Sequence, residues 1–349
     1  MMETAMIALT AKIKDKLTNL WQMVGNTPMI EVSYRYRNGV EQTILVKCEY
    51  QRSLTGSIKD RMALYILQKA YELGTIRPGD TIVEATSGNS GIAFAAIGRA
   101  LGHNVKIIMP DWLSPERTEI IKSFGAEVEL ISKDEGGFLG CIKRAELLRY
   151  DERVFLPRQF ENNYNAEAHE KTTGREIYQQ LILSDLKKPY AFVAGVGTGG
   201  TIMGVGKCLR NIFPDIKIHP LEPAESPTLS TGYKIGSHRI QGISDEFIPA
   251  ILDLENLDSI VQVNDGDAIL MAQRIGKDLG LGVGISSGAN LLGAIKLQQD
   301  SGSSGAVITL FPDSNKKYLS TDLMKPEPLK EGYLTPDIKL TGYRAIMKG

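Results

Sequence analysis

The run DTIVEATSGNSGIAFAAIGRAL, residues 80–101, decides how this chain folds. Residues 80–84 have the β-branched and apolar make-up of a short buried strand. Thr86, Ser87, Gly88, Asn89, Ser90 and Gly91 follow, residue types that turn a chain and cap helices. From Ile92 to Leu101 the sequence is almost wholly apolar and reads as a helix buried against a sheet. A strand joined to a helix by a tight polar turn is half of a parallel βαβ unit, because parallel neighbours need a crossover connection.

The same unit recurs outward in both directions. Upstream, residues 43–48 read as a strand, 51–57 as a turn and 60–73 as a helix. Downstream come strands at 105–109 and 127–131 with a helix at 115–124 between them. After a looser middle, 190–194 is a strand, 195–200 a turn, 201–212 a helix and 216–221 a strand. Helices at 267–279 and 290–300 precede a buried strand at 306–310. Such alternation predicts an α/β fold with mostly parallel sheets covered by helices on both faces. A single core stops growing at roughly 250–300 residues, so 349 residues divide more naturally into two lobes. Residues 1–21 read as an amphipathic helix packed on the body. Residues 325–349, with Pro326, Pro328 and Pro336 and mixed charge, read as an appendage wrapping the surface or a neighbouring subunit.

Composition narrows the function. Net charge is −1, with 42% hydrophobic and 23% charged residues and no dense Lys/Arg stripe, which speaks against nucleic acid or an anionic membrane as partner. No apolar run approaches the ~20 residues needed to span a bilayer, and residues 1–21 lack the charge pattern of a signal peptide. Cys48, Cys141 and Cys208 lie far apart and the four histidines are scattered, so no disulfide frame or metal centre is expected, and a reducing cytoplasm fits.

Three glycine-rich turns stand where strands end and helices begin, the place where doubly wound sheets bind ligands. In Thr55-Gly56-Ser57-Ile58-Lys59 a lysine opens a helix, although most lysines there are ordinary surface residues. The helix dipole disfavours a cation at that point and so favours the uncharged amine that a Schiff-base lysine needs. The turn from Thr86 to Gly91 stacks backbone N–H groups and small hydroxyls into an anion cradle, beyond what a simple cap requires. Gly195-Val196-Gly197-Thr198-Gly199-Gly200-Thr201 again suits a phosphate. It also satisfies G-x-G-x-x-G with Glu222 downstream, so from the pattern a dinucleotide site stays open. His169 reads as a surface polar residue, and Ser286 and Ser287 as caps of the helix that follows.

Taken in order, SIKDR, TSGNSG, QF…NxxxHEKTTGxEI, GVGTGGT, EPAESP, QGIS–EFIP, GISSGA and PDS–KYLST closely resemble the cysteine synthase / cystathionine β-synthase family of fold type II pyridoxal-phosphate enzymes, over residues 24–323. The resemblance implies two three-layer α/β lobes with pyridoxal 5′-phosphate in the cleft between them. One lobe would span 52–160, with a mobile part near 105–143. The larger would comprise 161–323 together with the helix and strands of residues 1–51, leaving 324–349 as a tail. It implies that Lys59 carries the cofactor and acts as general base. Asn89 would bond its 3′ oxygen, Gly197, Thr198, Gly199, Gly200 and Thr201 its phosphate, and Ser286 its ring nitrogen. The substrate would be bound by Thr86, Ser87, Gly88, Asn89, Ser90, Gln159 and Gly242, with its carboxylate gripped by Ser87, Asn89, Ser90 and Gln159. A serine at the ring nitrogen favours expelling a β-substituent over transamination. The implied activity is β-replacement on a serine or cysteine derivative through an α-aminoacrylate, foremost O-acetyl-L-serine with sulfide giving L-cysteine and acetate. A sulfide-releasing lyase or a cystathionine β-synthase is the alternative. The resemblance also implies a homodimer acting on an amino acid and a sulfide or thiol.

The chain departs from the family in places. Ser90 stands where threonine is usual, and residues 52–56 replace the common Asn-Pro turn. In Gly242-Ile243-Ser244-Asp245-Glu246-Phe247, sulfhydrylases carry small residues and cystathionine synthases a Tyr-Asp. Asp245 is therefore a candidate catalytic base, or a charge that repels anionic substrates, as well as an ordinary solvated acid.

Overall fold

A computed structural model describes residues 2–86, 88–183, 188–244, 246–302 and 305–346, with the backbone alone at 2–10 and Ser301. Two sheets organise the chain. The smaller has four parallel strands in the order β5-β4-β3-β6, where β3 is Thr81–Ala85, β4 Asn104–Pro110, β5 Glu127–Ile131 and β6 Val154–Phe155. The larger has seven in the order β11-β1-β2-β10-β7-β8-β9. Its strands are β1 Met29–Tyr36, β2 Glu41–Cys48, β7 Pro189–Gly195, β8 Lys217–Pro223, β9 Val261–Val263, β10 Ala306–Phe311 and β11 Ile338–Ile346. Pairing is parallel from β2 to β9 and antiparallel at β11, β1 and β2. The central strands run apolar without alternation because helices bury both of their faces.

Around the small sheet lie α1 Met2–Met23, α2 Lys59–Glu72, α3 Asn89–Leu101, α4 Pro115–Ser123 and α5 Gly137–Leu147. Around the large one lie α6 Tyr164–His169, α7 Arg175–Leu183, α8 Gly200–Ile212, the single turn α9 Thr228–Thr231, α10 Asp265–Leu279 and α11 Ile285–Ser301. The looser middle of the sequence proves helical: a π turn, Glu170–Gly174, joins α6 to α7. Helix α11 starts at Ile285, so Ser286 and Ser287 belong to its first turn instead of preceding it.

One expectation is corrected, and a second is made specific. Helix α1 does not join the larger lobe: Ile13, Leu17 and Leu20 pack in one cluster with Leu64 and Leu67 of α2 and Phe94 and Ile97 of α3. Its apolar stripe fits the face those two helices leave open. The tail, read as an appendage wrapping the surface or a neighbouring subunit, lies on a sheet of its own chain. Residues 338–346 add an edge strand to the large sheet and bury Ile338, Leu340 and Ile346.

A buried ion cluster ties α2 to the larger lobe. Arg61 Nε meets Glu49 Oε2 at 2.6 Å and its Nη1 meets Glu176 Oε1 at 2.8 Å. Lys47 Nζ lies 2.8 Å from Glu176 Oε2. Burial alone would raise the Glu176 carboxyl, but bonds and charges from Arg61 and Lys47 outweigh it and hold the group well below the carboxylate range. The helix that begins with Lys59 is thereby anchored two residues into its length.

Candidate active site

One cleft between the lobes is lined by Lys59, Thr86, Asn89, Ser90, Gln159, Gly197, Thr198, Gly199, Thr201, Gly242 and Ser286. Residues separated by more than two hundred positions thus converge on one site. Ser87 and Asp245 lie outside the described residues. Gly88 and Gly200 belong to the same two turns, Gly88 as the residue before α3 and Gly200 as the first of α8.

Lys59 is the first residue of α2. Its neighbour Asp60 is fully buried, accepts from the backbone N–H of Thr55 at 2.7 Å, and so closes the turn ahead of the lysine. Burial pushes Asp60 up to about 6, with Thr55 pulling it back.

The anion-cradle turn that holds Thr86, Gly88 and Ser90 is braced from inside the small lobe. Thr86 Oγ1 accepts from the Gly88 N–H at 3.1 Å. Ser90 Oγ donates to Gln159 Oε1 at 2.5 Å, and Gln159 Nε2 donates to the Ala85 carbonyl at 2.9 Å. Ser90 therefore spends its hydrogen on Gln159, and the second Nε2 hydrogen of Gln159 remains as a donor for an anion.

The phosphate-type turn sits at the N-terminus of the 13-residue α8. A Cβ on Gly197 would lie 2.4 Å from the Gly242 carbonyl oxygen, and one on Gly200 would lie 2.0 Å from Asn165 Oδ1. The glycines are demanded by this close approach. Thr198 Oγ1 accepts from Asn165 Nδ2 at 2.9 Å, while Thr201 Oγ1 pairs with His169 Nε2 at 3.3 Å. The Gly195 N–H donates to Asn290 Oδ1 at 2.8 Å, which pins the end of β7 to α11. Backbone N–H groups at a helix start, a lysine amine and a buried serine at the start of α11 form a donor set that fits a phosphorylated pyridine aldehyde.

Several of these supports escaped the sequence reading. His169 is 1% exposed, not a surface residue. Its spacing of four from Thr173, which it bonds at 3.0 Å through Nδ1, was the available signal. Burial, with the Lys59 and Arg61 charges adding, drives the imidazole well below its ordinary value and keeps it neutral. The dinucleotide alternative loses its key acid. Glu222 is fully buried, and its oxygens accept four bonds, from the Leu229 N–H at 2.7 Å, the Ser230 N–H at 3.3 Å, Gln262 Nε2 at 3.0 Å and the Ser230 hydroxyl, which leaves no acceptor for a ribose. Arg117, on α4, also lines the cleft, donating to Gln241 with its guanidinium stacked 5.0 Å over the Tyr318 ring.

The sequence model of the pyridoxal-phosphate-dependent enzymes matches residues 20–313. The chain belongs to this family. A cysteine synthase of Staphylococcus aureus (strain N315) is 43% identical over 308 residues, covering 87% of this chain and 96% of the relative. Among solved structures, a hydrogen sulfide-producing enzyme from Fusobacterium nucleatum is 55% identical with a TM-score of 0.90, covering 94% of this chain and 97% of that one. A cysteine synthase from Entamoeba histolytica is 36% identical with a TM-score of 0.80, covering 91% and 93%. The fold is accordingly that of a fold type II pyridoxal-phosphate enzyme, two α/β lobes with mostly parallel sheets. Among the described residues no helix is long and apolar enough to cross a membrane.

Proposed function

We propose that this pyridoxal-phosphate enzyme exchanges the β-substituent of a serine- or cysteine-like amino acid, acting as a cysteine synthase that converts O-acetyl-L-serine and sulfide to L-cysteine and acetate. The observation that carries it is the convergence of Lys59, Thr86, Asn89, Ser90, Gly197, Thr198, Gly199, Thr201 and Ser286 on one cleft. In this reading the 197–201 amides and Thr201 hold the phosphate, Asn89 the 3′ oxygen and Ser286 the ring nitrogen. The bound cofactor supplies an electron sink for charge developing at the substrate α-carbon.

The remaining work falls to the chain. The Lys59 amine would hold the cofactor and, with the substrate amine in its place, would take the α-proton on Nζ. The positive end of α2 favours its uncharged form. The Thr86–Ser90 turn and Gln159 grip the carboxylate, which sets the α-C–H bond in the orientation that is broken. Acetate would leave the β-carbon, hydrosulfide would add there, and Lys59 Nζ would return its proton to the α-carbon.

A second reading has its own support, the 55% identity to a hydrogen sulfide-producing enzyme. On L-cysteine the same machinery would release sulfide, with Asp245 as base for an incoming water. Rates with O-acetyl-L-serine plus sulfide, and separately with L-cysteine alone, decide between the two. The synthase reading expects a larger kcat/KM for the first, and the reverse ranking would overturn it in favour of the second. Lys59→Met should abolish the visible cofactor band and cut either rate by about 10³-fold or more; an unchanged rate would sink both. A cytoplasmic homodimer is the expected form, with sedimentation testing the dimer.

A further inference from the structure

The strand-end segment Pro312–Tyr318 follows β10 and has been given no ligand role, yet it touches three of the four cofactor-facing elements, all but the 197–201 turn. The Pro312 carbonyl accepts from the Ile58 N–H at 2.9 Å, one residue before Lys59. The backbone of Asp313 bridges that of Ser57, and its carbonyl accepts from the Gly284 N–H at 3.0 Å, two residues before Ser286. Its side chain reaches the third element. Asp313 Oδ2 accepts from Asn89 Nδ2 at 2.7 Å, and Lys317 Nζ donates to Asn89 Oδ1 at 2.9 Å. Tyr318 also donates to Asp313 Oδ2, at 2.7 Å.

An asparagine amide placed between water molecules can flip with little cost. Here a carboxylate, which only accepts, faces its nitrogen, and an ammonium, which only donates, faces its oxygen. Reversing the amide would set donor against donor and acceptor against acceptor. Asp313 and Lys317 are 1% and 3% exposed, so the half-buried Asn89 amide meets a carboxylate and an ammonium that are themselves shielded from solvent, and charge-assisted bonds of this kind are stronger than surface bonds. With its oxygen occupied and one N–H used, Asn89 keeps a single N–H for a ligand in the cleft it lines.

We infer that Asp313 and Lys317 are positioning residues that lock the Asn89 amide in the one orientation able to donate to the cofactor. The inference rests on the proposed role of Asn89 as a cofactor ligand. The backbone bonds of the same segment set Lys59 and Ser286 relative to Asn89, so three contacts from three elements share one support.

The test is a double-mutant cycle on pyridoxal 5′-phosphate affinity, measured by titrating the cofactor-free protein and following the visible band. Lys317→Met and Asp313→Asn are made singly and in an Asn89→Ala background. Each should weaken cofactor binding by about 10-fold or more and move the band maximum in otherwise wild-type protein. Neither should weaken binding further once Asn89 is alanine, because the side chains act through it. Should Lys317→Met fail to fold, Asp313→Asn keeps the original shape and completes the cycle alone. Equal losses with and without Asn89, or no loss in either background, would overturn the positioning role. Wild-type protein that takes up no pyridoxal phosphate would overturn that role and the proposed function together.

Discussion

Glu84 lies on β3 behind the anion-cradle turn, 4% exposed and facing an apolar groove formed in part by Leu139, Ile142 and Phe247. Its oxygens accept from the backbone N–H groups of Ala85 at 3.1 Å and Gln159 at 3.3 Å. Burial pushes the carboxyl from 4.5 up to about 8, against the pull of those N–H groups. Below the unfolded value of 4.5 both states hold the proton, and the stabilisation is complete. Between 4.5 and about 8 only the folded state keeps the proton, so stability falls by about 1.4 kcal/mol per pH unit. Above the folded value both states are ionised and the slope ends. The full loss is on the order of 5 kcal/mol, of which about 3 kcal/mol falls between pH 6 and pH 8. Glu84→Gln keeps the shape and removes the titration. Urea unfolding of the cofactor-free protein, followed by circular dichroism from pH 6 to pH 9, should show the variant gaining about 3 kcal/mol on the wild type across that range. A difference between the two that stays constant within about 0.5 kcal/mol would refute a buried, protonated Glu84.

Two further outcomes test the frame around the site. Arg61→Met leaves Glu49 and Glu176 buried without their shared cation and should cost about 3–5 kcal/mol in urea unfolding at pH 7; a loss below about 1 kcal/mol would show that the cluster is not a support. Gly200→Ala puts a methyl group 2.0 Å from Asn165 Oδ1 and should weaken pyridoxal 5′-phosphate binding by about 10-fold while the lobes stay folded. Unchanged affinity in a cofactor titration would show that the turn can yield.

The sequence alone determined the repeating strand–turn–helix units, and with them the α/β class and the ligand-type turns at 55–59, 86–91 and 195–201. Those features are local: a Gly/Ser/Thr turn between a β-branched run and an apolar helix reveals its conformation without reference to the rest of the chain. Only the tertiary structure decided what lies behind those turns. Asn89 meets Asp313 and Lys317 across separations of 224 and 228 positions, and Gly195 meets Asn290 across 95, distances over which no periodicity speaks. The pairing of β11 with β1 was hidden for the same reason: an edge strand with one buried face and several polar residues resembles a surface tail until its partner is in place. His169 looked like a surface polar because it stands in a polar stretch, where a spacing of four from Thr173 is the one local sign of burial. Its place was set by packing α6 against α8, which brings its ring to Thr201. The residues that would touch ligand are written in short motifs because a turn must expose them. The residues that hold those turns still come from distant strands and helices, because buried polar groups take whatever partner the packing brings within reach.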